Sequence, residues 1–322
     1  MSFNALPKAS EDPHRPDEVT PRRVSLDFNV EGLEDVEVIG PPELEGRDFM
    51  SPYVWTEADG RIGIMIRAVP RPGTPQFDTG VIWAGWSTDG RRFQMLERPS
   101  ILPGPEPHDA GGVEDPTVLE TSEGYLVYYT AVLADHSHGE LSYAFGPDLM
   151  NLRKSGVALA SSKSEGNTKE ATVEQTADGH WRLFYEYAAD SASRVGLAIG
   201  EGVAGPWSEQ PTPFMPRLNS WDDWHLSTGP LLTSDPDLPV MFYNGATQDA
   251  RWRIGWVAFD RECRTVVDRC IEPLITPPPV PDRSATDIAF AASVILEGDR
   301  IWLYYSLEDR RLARARLRRH RG

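Results

Sequence analysis

One pattern recurs along the chain and limits what it can fold into. A polar or acidic residue precedes a short apolar run. A turn containing Gly follows, then a strand rich in aromatic and β-branched residues, then further short strands. The first copy runs through Asp48-Phe49-Met50-Ser51-Pro52-Tyr53-Val54-Trp55, the turn Asp59-Gly60, Ile62-Gly63-Ile64-Met65-Ile66-Arg67-Ala68 and Val81-Ile82-Trp83-Ala84. Later copies start at Asp115-Pro116, Lys169-Glu170-Ala171, Leu226-Ser227-Thr228-Gly229-Pro230 and Asp287-Ile288-Ala289-Phe290. The anchors Pro52, Pro116, Ala171, Gly229 and Ala291 stand 64, 55, 58 and 62 residues apart. Similar units of about four strands at that period are the mark of a propeller, and no long stretch carries a 3.6-residue apolar period. The expectation is an all-β chain, a five-bladed β-propeller in a single domain over residues 26–322. The polar, Pro-rich residues 1–25 are expected to form a flexible N-terminal arm. An irregular β-sandwich is the competing fold, and it fits this period badly.

Composition narrows the partners. The formal net charge of -17 disfavours a phosphate backbone, so no nucleic acid is expected. The N-terminus lacks the apolar core of a signal peptide, and no stretch approaches the ~20 apolar residues of a membrane span. A cytoplasmic protein is expected, with no membrane partner and with a homo-oligomer left open. Two cysteines, Cys263 and Cys270, exclude a disulfide framework and lack zinc-site pairing. They read as free thiols. His136 and His138 beside Asp135 read as a solvated loop, so no metal site is expected. His108-Asp109 reads first as a surface loop and second as a gate. The basic stretch 310–321 reads as a last strand with outward arginines, followed by a tail.

In a propeller the first strand of each blade lines a central channel, and the residues that open those strands meet at one mouth. The openings here are Asp48, Asp115, Lys169 with Glu170, His225 and Asp287, four of them carrying a carboxylate. Asp115 precedes Pro116, which restricts its backbone and favours an extended conformation. Carboxylates gathered in one funnel raise each other's pKa, so that one stays protonated while another is ionised. That is the requirement for cleaving a glycosidic bond. The aromatic residues Tyr53, Trp55, Trp83, Trp86, Trp221 and Trp224 are candidate sugar platforms. Trp221 and Trp224 rank first, because they flank Asp222-Asp223 in a loop before a blade start.

The motifs Ile64-Met65-Ile66-Arg67-Ala68, Gly112-Val113-Glu114-Asp115-Pro116 with Tyr128-Tyr129-Thr130-Ala131, the segment from Trp221 to Pro230 with Phe242-Tyr243-Asn244-Gly245, and Tyr304-Tyr305-Ser306-Leu307-Glu308-Asp309 resemble glycoside hydrolase family 130. That family holds β-mannoside phosphorylases and β-mannosidases on a five-bladed propeller, and the likeness runs from about Asp48 to Leu317. It implies Asp115 as general acid, Arg67 and Asp309 as sugar ligands, and Asp287 beside the position of the nucleophile. Two departures bear on phosphate. Thr117 stands where the phosphorylases carry Arg, and Asn244 where they carry His. Both changes remove groups suited to a phosphate dianion. The expectation is therefore an inverting glycosidase that hydrolyses a β-linked, mannoside-like oligosaccharide.

Phosphorolysis remains an alternative, with Lys169, Arg67 and His225 as a small anion site. More distantly the chain resembles glycoside hydrolase family 43, which implies Asp48 as base, Asp115 as pKa modulator and Glu170 as acid. There the first blade departs, with Ser51-Pro52 where Asp-Pro is expected. A non-catalytic propeller that binds a glycan or a protein is the third alternative. The catalytic candidates are thus Asp115, Glu170 and Asp287. The substrate-binding candidates are Asp48, Arg67, Glu114, Lys169, Trp224, His225, Asn244 and Asp309. No cofactor is expected.

Overall fold

The computed structural model describes residues 26–282 and 286–321 of the 322-residue chain, so the arm expected over residues 1–25 lies outside the described residues. The described residues are all-β. Their helical content is two 3-10 turns of three residues each, Pro42–Leu44 and Val280–Asp282. No helix among them is long and apolar enough to cross a membrane.

The strands fall in the order of the repeat. A leading strand β1 (Leu26–Ile39) precedes β2 (Arg47–Thr56), β3 (Ile62–Pro70), β4 (Val81–Ser87) and β5 (Arg92–Met95). Next come the antiparallel sheets β6 (Gly112–Thr121), β7 (Gly124–Val132), β8 (Gly139–Gly146), β9 (Arg153–Leu159) and β10 (Thr168–Gln175), β11 (Trp181–Ala189), β12 (Ala192–Gly200), β13 (Ser208–Gln210). The following stretch holds β14 (His225–Ser227), β15 (Leu231–Leu232), β16 (Val240–Met241), β17 (Asn244–Ala246), β18 (Trp252–Ile254), β19 (Val257–Phe259) and β20 (Val266–Arg269). It is split into two small sheets, β14-β17-β18 and β15-β16-β19-β20, so the repeat is less regular here than the sequence suggests. The chain closes with β21 (Ala289–Glu297), β22 (Arg300–Leu307) and β23 (Arg311–Arg321).

β1 was not foreseen as part of the repeat. It pairs antiparallel with β23 over most of its length and then parallel with β5 through Glu37, Val38 and Ile39. It thereby joins the first and last sets of strands into one eight-stranded sheet. Its burial alternates, as suits an outer strand with one wet face. The arginines of β23 meet acids of β1: Arg311 pairs with Asp35, Arg314 with Glu34, and Arg316 and Arg318 with Glu31. Arg318 points outward as expected, whereas Arg314 is buried over Trp302.

The second strand of each set is apolar on both faces because sheets pack on either side of it. Met65 and Ile82 pack with Val118 and Tyr129, and Leu126 and Tyr128 pack with Val173 and Tyr185. The cores thus lie between successive sheets, where each buried aliphatic or aromatic side chain contributes about 1.5–3 kcal/mol. Cys263 and Cys270 are free and buried, and burial pushes their thiols up to about 12 and about 11.

Two features of the first strands position the site. The first is a register slip. It falls between Met50 and Tyr53 in β2, Glu114 and Thr117 in β6, Lys169 and Thr172 in β10, and Ala291 and Ser293 in β21. In the first three, one residue takes a left-handed backbone: Ser51 at φ 49°, Asp115 at φ 50° and Glu170 at φ 53°. Asp115 is therefore not extended, contrary to the expectation drawn from Pro116. In these three bulges the left-handed residue returns the strand to its ladder, and its cost of about 1–3 kcal/mol is met by surrounding contacts. The Ser51 N–H, for example, donates to Ser306 Oγ at 2.7 Å.

The second feature is a closed circuit of hydrogen bonds between successive sets of strands, with Asn244 of β17 linking the Thr228 carbonyl to the Ala291 backbone. Ser51 Oγ donates to Asp115 Oδ1 at 2.6 Å. Thr117 Oγ1 donates to the Ala171 carbonyl at 2.6 Å, and Thr172 Oγ1 to that of Gly229 at 2.9 Å. Asn244 exchanges two bonds with the Ala291 backbone, and Ser293 Oγ returns to the Pro52 carbonyl at 2.7 Å.

Candidate active site

The bulges of β2, β6 and β10 deliver Ser51, Asp115 and Glu170 to one cavity of about 170 Å³. Arg67, Lys169, Glu186, Ser193, Ser306 and Asp309 complete its polar lining, and Trp252, Phe290, Ile288 and Met50 its apolar lining. The volume suits a ring-sized group rather than a whole oligosaccharide. Trp252 and Phe290 stand edge to face with centroids 5.2 Å apart, and so form one continuous apolar wall.

Asp115 is 5% exposed and lies beside Glu170 in the cavity lining. Burial, then the Asp115 and Glu186 carboxylates, push Glu170 well above the usual carboxylate range, and Lys169 opposes them only in part. Burial likewise raises Asp309, with Arg67 opposing and Asp115 adding to it. Both cations are already engaged. Arg67 Nη2 meets Glu114 Oε1 at 2.6 Å, and its Nη1 lies 3.7 Å from Asp115. Burial works against the Arg67 charge, but Glu114, Asp115, Glu170 and Asp309 outweigh it. Lys169 lies 3.6 Å from Glu186, the main cause of its raised pKa. Carboxylates outnumber cations here, which suits proton transfer more than capture of a free anion.

The structure brings together Asp115, Glu170, Arg67, Lys169 and Asp309 of the candidates named from sequence, with Glu114 behind Arg67. Other candidates stand elsewhere. Asp48 is buried but holds Arg71 at 2.8 Å and Arg310 at 3.6 Å, and Ser51 occupies the position equivalent to Asp115. The family 43 arrangement therefore lacks its base in this cavity. Asp287 sits beside the lining residue Ile288 and is paired with Arg253 at 2.7 Å. Asn244 is fully buried, and its amide serves the backbones of Thr228 and Ala291. Thr117 likewise belongs to the hydrogen-bond circuit.

His225 lies next to the cavity. Burial, and after it Arg194 and Lys169, lower its pKa against the pull of Glu186, so it is a weak anchor for an anion. Its Nδ1 accepts the Ser193 N–H at 3.1 Å. The Trp224 carbonyl accepts from Arg194, whereas Trp221 stacks on Tyr243 at 5.4 Å and packs against Gly245 and Gly255. Trp221 is thus a packing residue. Asp109 is buried and ion-paired with Lys154, so its loop is a structural one. No group of His, Cys, Asp and Glu suited to a metal occurs among the described residues.

The closeness of Asp115 and Glu170 also alters the mechanism expected from sequence. An inverting pair stands ~6.5–9.5 Å apart to admit water and sugar between its members. Asp115 and Glu170 stand closer than such a pair.

Sequence reading missed Glu186, Ser193, Trp252 and Ser306. A signal for Glu186 exists. Arg67, Thr130, Glu186, Asn244 and Ser306 occupy matching places near the ends of their strands, each just after apolar residues. Each pairs with a first-strand residue at or near the bulge: Met50, Glu114, Lys169, Ser227 and Phe290.

No protein-family model matches the chain. It is 22% identical over 228 residues to a β-1,2-mannobiose phosphorylase of Thermoanaerobacter sp. (strain X514), a match covering 69% of this chain and 72% of the relative. It is 23% identical over 235 residues to the β-1,2-mannobiose phosphorylase of Listeria innocua serovar 6a, covering 70% of this chain and 63% of the relative, under two thirds of its length. The solved Listeria innocua enzyme in complex with β-1,2-mannobiose superposes with a TM-score of 0.68 at 18% identity, over 89% of this chain and 90% of that one. Another solved structure, described with the GH130 family of mannoside phosphorylases and its glycoside hydrolases for β-1,2-mannosidic linkages in Candida mannan, superposes with a TM-score of 0.71 at 21% identity, over 89% and 94%. The chain resembles the GH130 mannoside phosphorylases. The solved structures establish the likeness of fold, and the curated relatives agree with the sequence motifs.

Proposed function

We propose that the chain is a single-domain, five-bladed β-propeller enzyme that cleaves a β-mannosidic bond, with a β-1,2-linked mannoside as the substrate class. The split strands β14–β20 count as one blade in this reading, and β1 completes the last. The observation that carries the function is the neighbouring carboxyl groups of Asp115 and Glu170 at a ring-sized cavity with an aromatic wall. The pair supplies the proton for the leaving oxygen, which general acid catalysis values at 10²–10⁴-fold. Arg67 and Asp309 hold sugar hydroxyls, and Trp252 with Phe290 covers the apolar face of the ring. Asp287, expected beside the nucleophile, is left with a role at the rim.

Phosphate is the acceptor that the relatives support better than the hydrolysis expected from sequence, since both curated relatives are phosphorylases. Lys169 and Arg67 are the cations that would face it. Hydrolysis is the second reading, favoured by one observation: both cations are tied to carboxylates, and Glu186 adds a further ionisable group able to take a proton from water. Incubation with β-1,2-mannobiose, with and without inorganic phosphate, tests the proposal. Phosphate-dependent release of a mannose phosphate supports the first reading. Phosphate-independent release of mannose moves the conclusion to the second. No turnover of any β-mannoside under either condition overturns both.

A further inference from the structure

His225 stands beside the cavity in one hydrogen-bonding state, fixed by the fold. It opens β14 and pairs across the sheet with Ala246 of β17, which pairs in turn with Trp252 of β18. Directly opposed residues present their side chains to one face of a sheet. The small side chain of Ala246 leaves room between its neighbours, and the His225 and Trp252 rings meet with centroids 5.6 Å apart. On another side His225 meets β12, where the turn at Asp190 and Ser191 (φ 53° and 57°) brings Ser193 to the start of the strand. The Ser193 N–H donates to His225 Nδ1 at 3.1 Å, and Ser193 Oγ donates to Glu186 Oε1 at 2.8 Å. Ser193, Trp252 and Glu186 all line the cavity, so His225 is held against its edge by residues of the lining.

An imidazole nitrogen that accepts an N–H carries no proton of its own. The ring therefore bears its one proton on Nε2, which has no hydrogen-bond partner among the described residues, and the residue is partly exposed. A second proton would go to Nδ1 and displace the Ser193 N–H. Burial opposes that proton, as do Arg194 on β12 and Lys169 on β10, against the pull of Glu186 on β11. What His225 offers a ligand is one neutral N–H, which suits a hydroxyl oxygen. The cavity of about 170 Å³ takes one sugar ring, so a second ring lies at its edge. We propose that His225 is a specificity-determining residue for that second sugar, donating its Nε2–H to a hydroxyl of the ring that stays outside the cavity. The assignment rests on the reading of the cavity as a β-mannoside site, and it removes His225 from the anion site expected with Lys169 and Arg67.

Two amides, each standing in for one ring nitrogen, separate recognition of the sugar from support of Ser193. His225→Gln keeps an N–H donor at the reach of Nε2 and loses the acceptor for Ser193. His225→Asn keeps an acceptor at the reach of Nδ1 and loses the outer donor. Each is assayed in the presence of inorganic phosphate on β-1,2-mannobiose and on nitrophenyl β-mannoside, whose aryl group offers no hydroxyl. In His225→Asn, kcat/KM for mannobiose relative to the aryl mannoside is expected to fall about 3- to 10-fold, through KM rather than kcat, and in His225→Gln to stay near the wild-type ratio. The reverse order, with His225→Gln impaired and His225→Asn like the wild type, overturns the proposal and leaves His225 a support for Ser193. An equal ratio in the two variants overturns it as well. So does a phosphate KM that rises in His225→Asn by more than the mannobiose KM, with the gap widening toward acid pH, which is the behaviour of an anion ligand. These three outcomes leave the proposed function standing, since the wild type still cleaves both substrates. A wild type inactive on both overturns the function and the assignment together.

Discussion

Glu174 stands four residues beyond Glu170 on β10, half-buried in a smaller cavity of about 30 Å³ with Tyr53 and Val294. Burial alone pushes its carboxyl from 4.5 to about 7. Between those values the unfolded chain has released a proton that the folded chain still holds, so stability falls as pH rises through that window and is unaffected below it. Glu174→Gln is therefore expected to match the wild type in stability at pH 4 and to exceed it above pH 7. At 1.36 kcal/mol per unit the gain is at most about 3 kcal/mol, less whatever solvent reaches the site. Urea midpoints of the two proteins across that range check it, and a constant difference would count against the burial argument. At this scale the sequence was legible where the charged residues it singled out do meet in one cavity, as with Asp115, Glu170 and Arg67. It was misleading where a polar side chain is consumed internally. Nothing local to Asn244 tells a sugar ligand from an amide bonded to two backbones.

The elements show the same division. The hairpin turns were legible because Gly60 and Gly179 sit at φ 85° and φ 84°, where a side chain is costly. The register slips were not, because Ser51, Asp115 and Glu170 adopt positive φ without glycine, and the prolines after two of them argue for the opposite conformation. Tertiary bonds hold these residues in place, and such bonds leave no local trace. β1 was also hidden, since its partners β23 and β5 are distant in sequence and only its period-2 burial hints at a strand. One outcome follows for the hydrogen-bond circuit. Asn244→Ala leaves the Ala291 N–H and two carbonyls without their partner in a fully buried place. A loss of about 1–3 kcal/mol is expected in chemical denaturation. The KM for mannoside should stay unchanged if Asn244 holds strands together, and a large rise in KM with intact stability would return it to the substrate site.

For the whole molecule, β1 is the clasp between the first and last sheets. Phe28 on β1 packs against Phe242 at 5.1 Å and Trp256 at 5.7 Å, tying the clasp to the β14–β20 region as well. Phe28→Ala is expected to lower unfolding free energy by about 3–5 kcal/mol in urea titration, while kcat below the transition stays as it is. A cost under 1 kcal/mol would mean that the clasp is dispensable. The acidic balance of -17 has its own consequence at this scale. A phosphate dianion approaching such a surface is repelled, and added salt screens the repulsion. If phosphate is the acceptor, its KM should fall as sodium chloride rises toward physiological strength, whereas the KM of neutral mannobiose should not move. Initial rates at several salt concentrations decide it, and a rising phosphate KM would point to a local cationic site that overrides the global field.

An ordinary strand sends neighbouring side chains to opposite faces, so only every second position can evolve in view of a ligand. The slips at Ser51, Asp115 and Glu170 remove that restriction at one height. Met50 with Ser51, and Lys169 with Glu170, reach the same cavity as consecutive residues, and Glu114 reaches it through Arg67 beside Asp115. Each strand therefore offers two adjacent, independently variable letters to the cavity, while the residues below them keep the strands joined. A scaffold arranged this way can change sugar, linkage or acceptor by exchanging side chains in pairs, without disturbing the ladder that carries them.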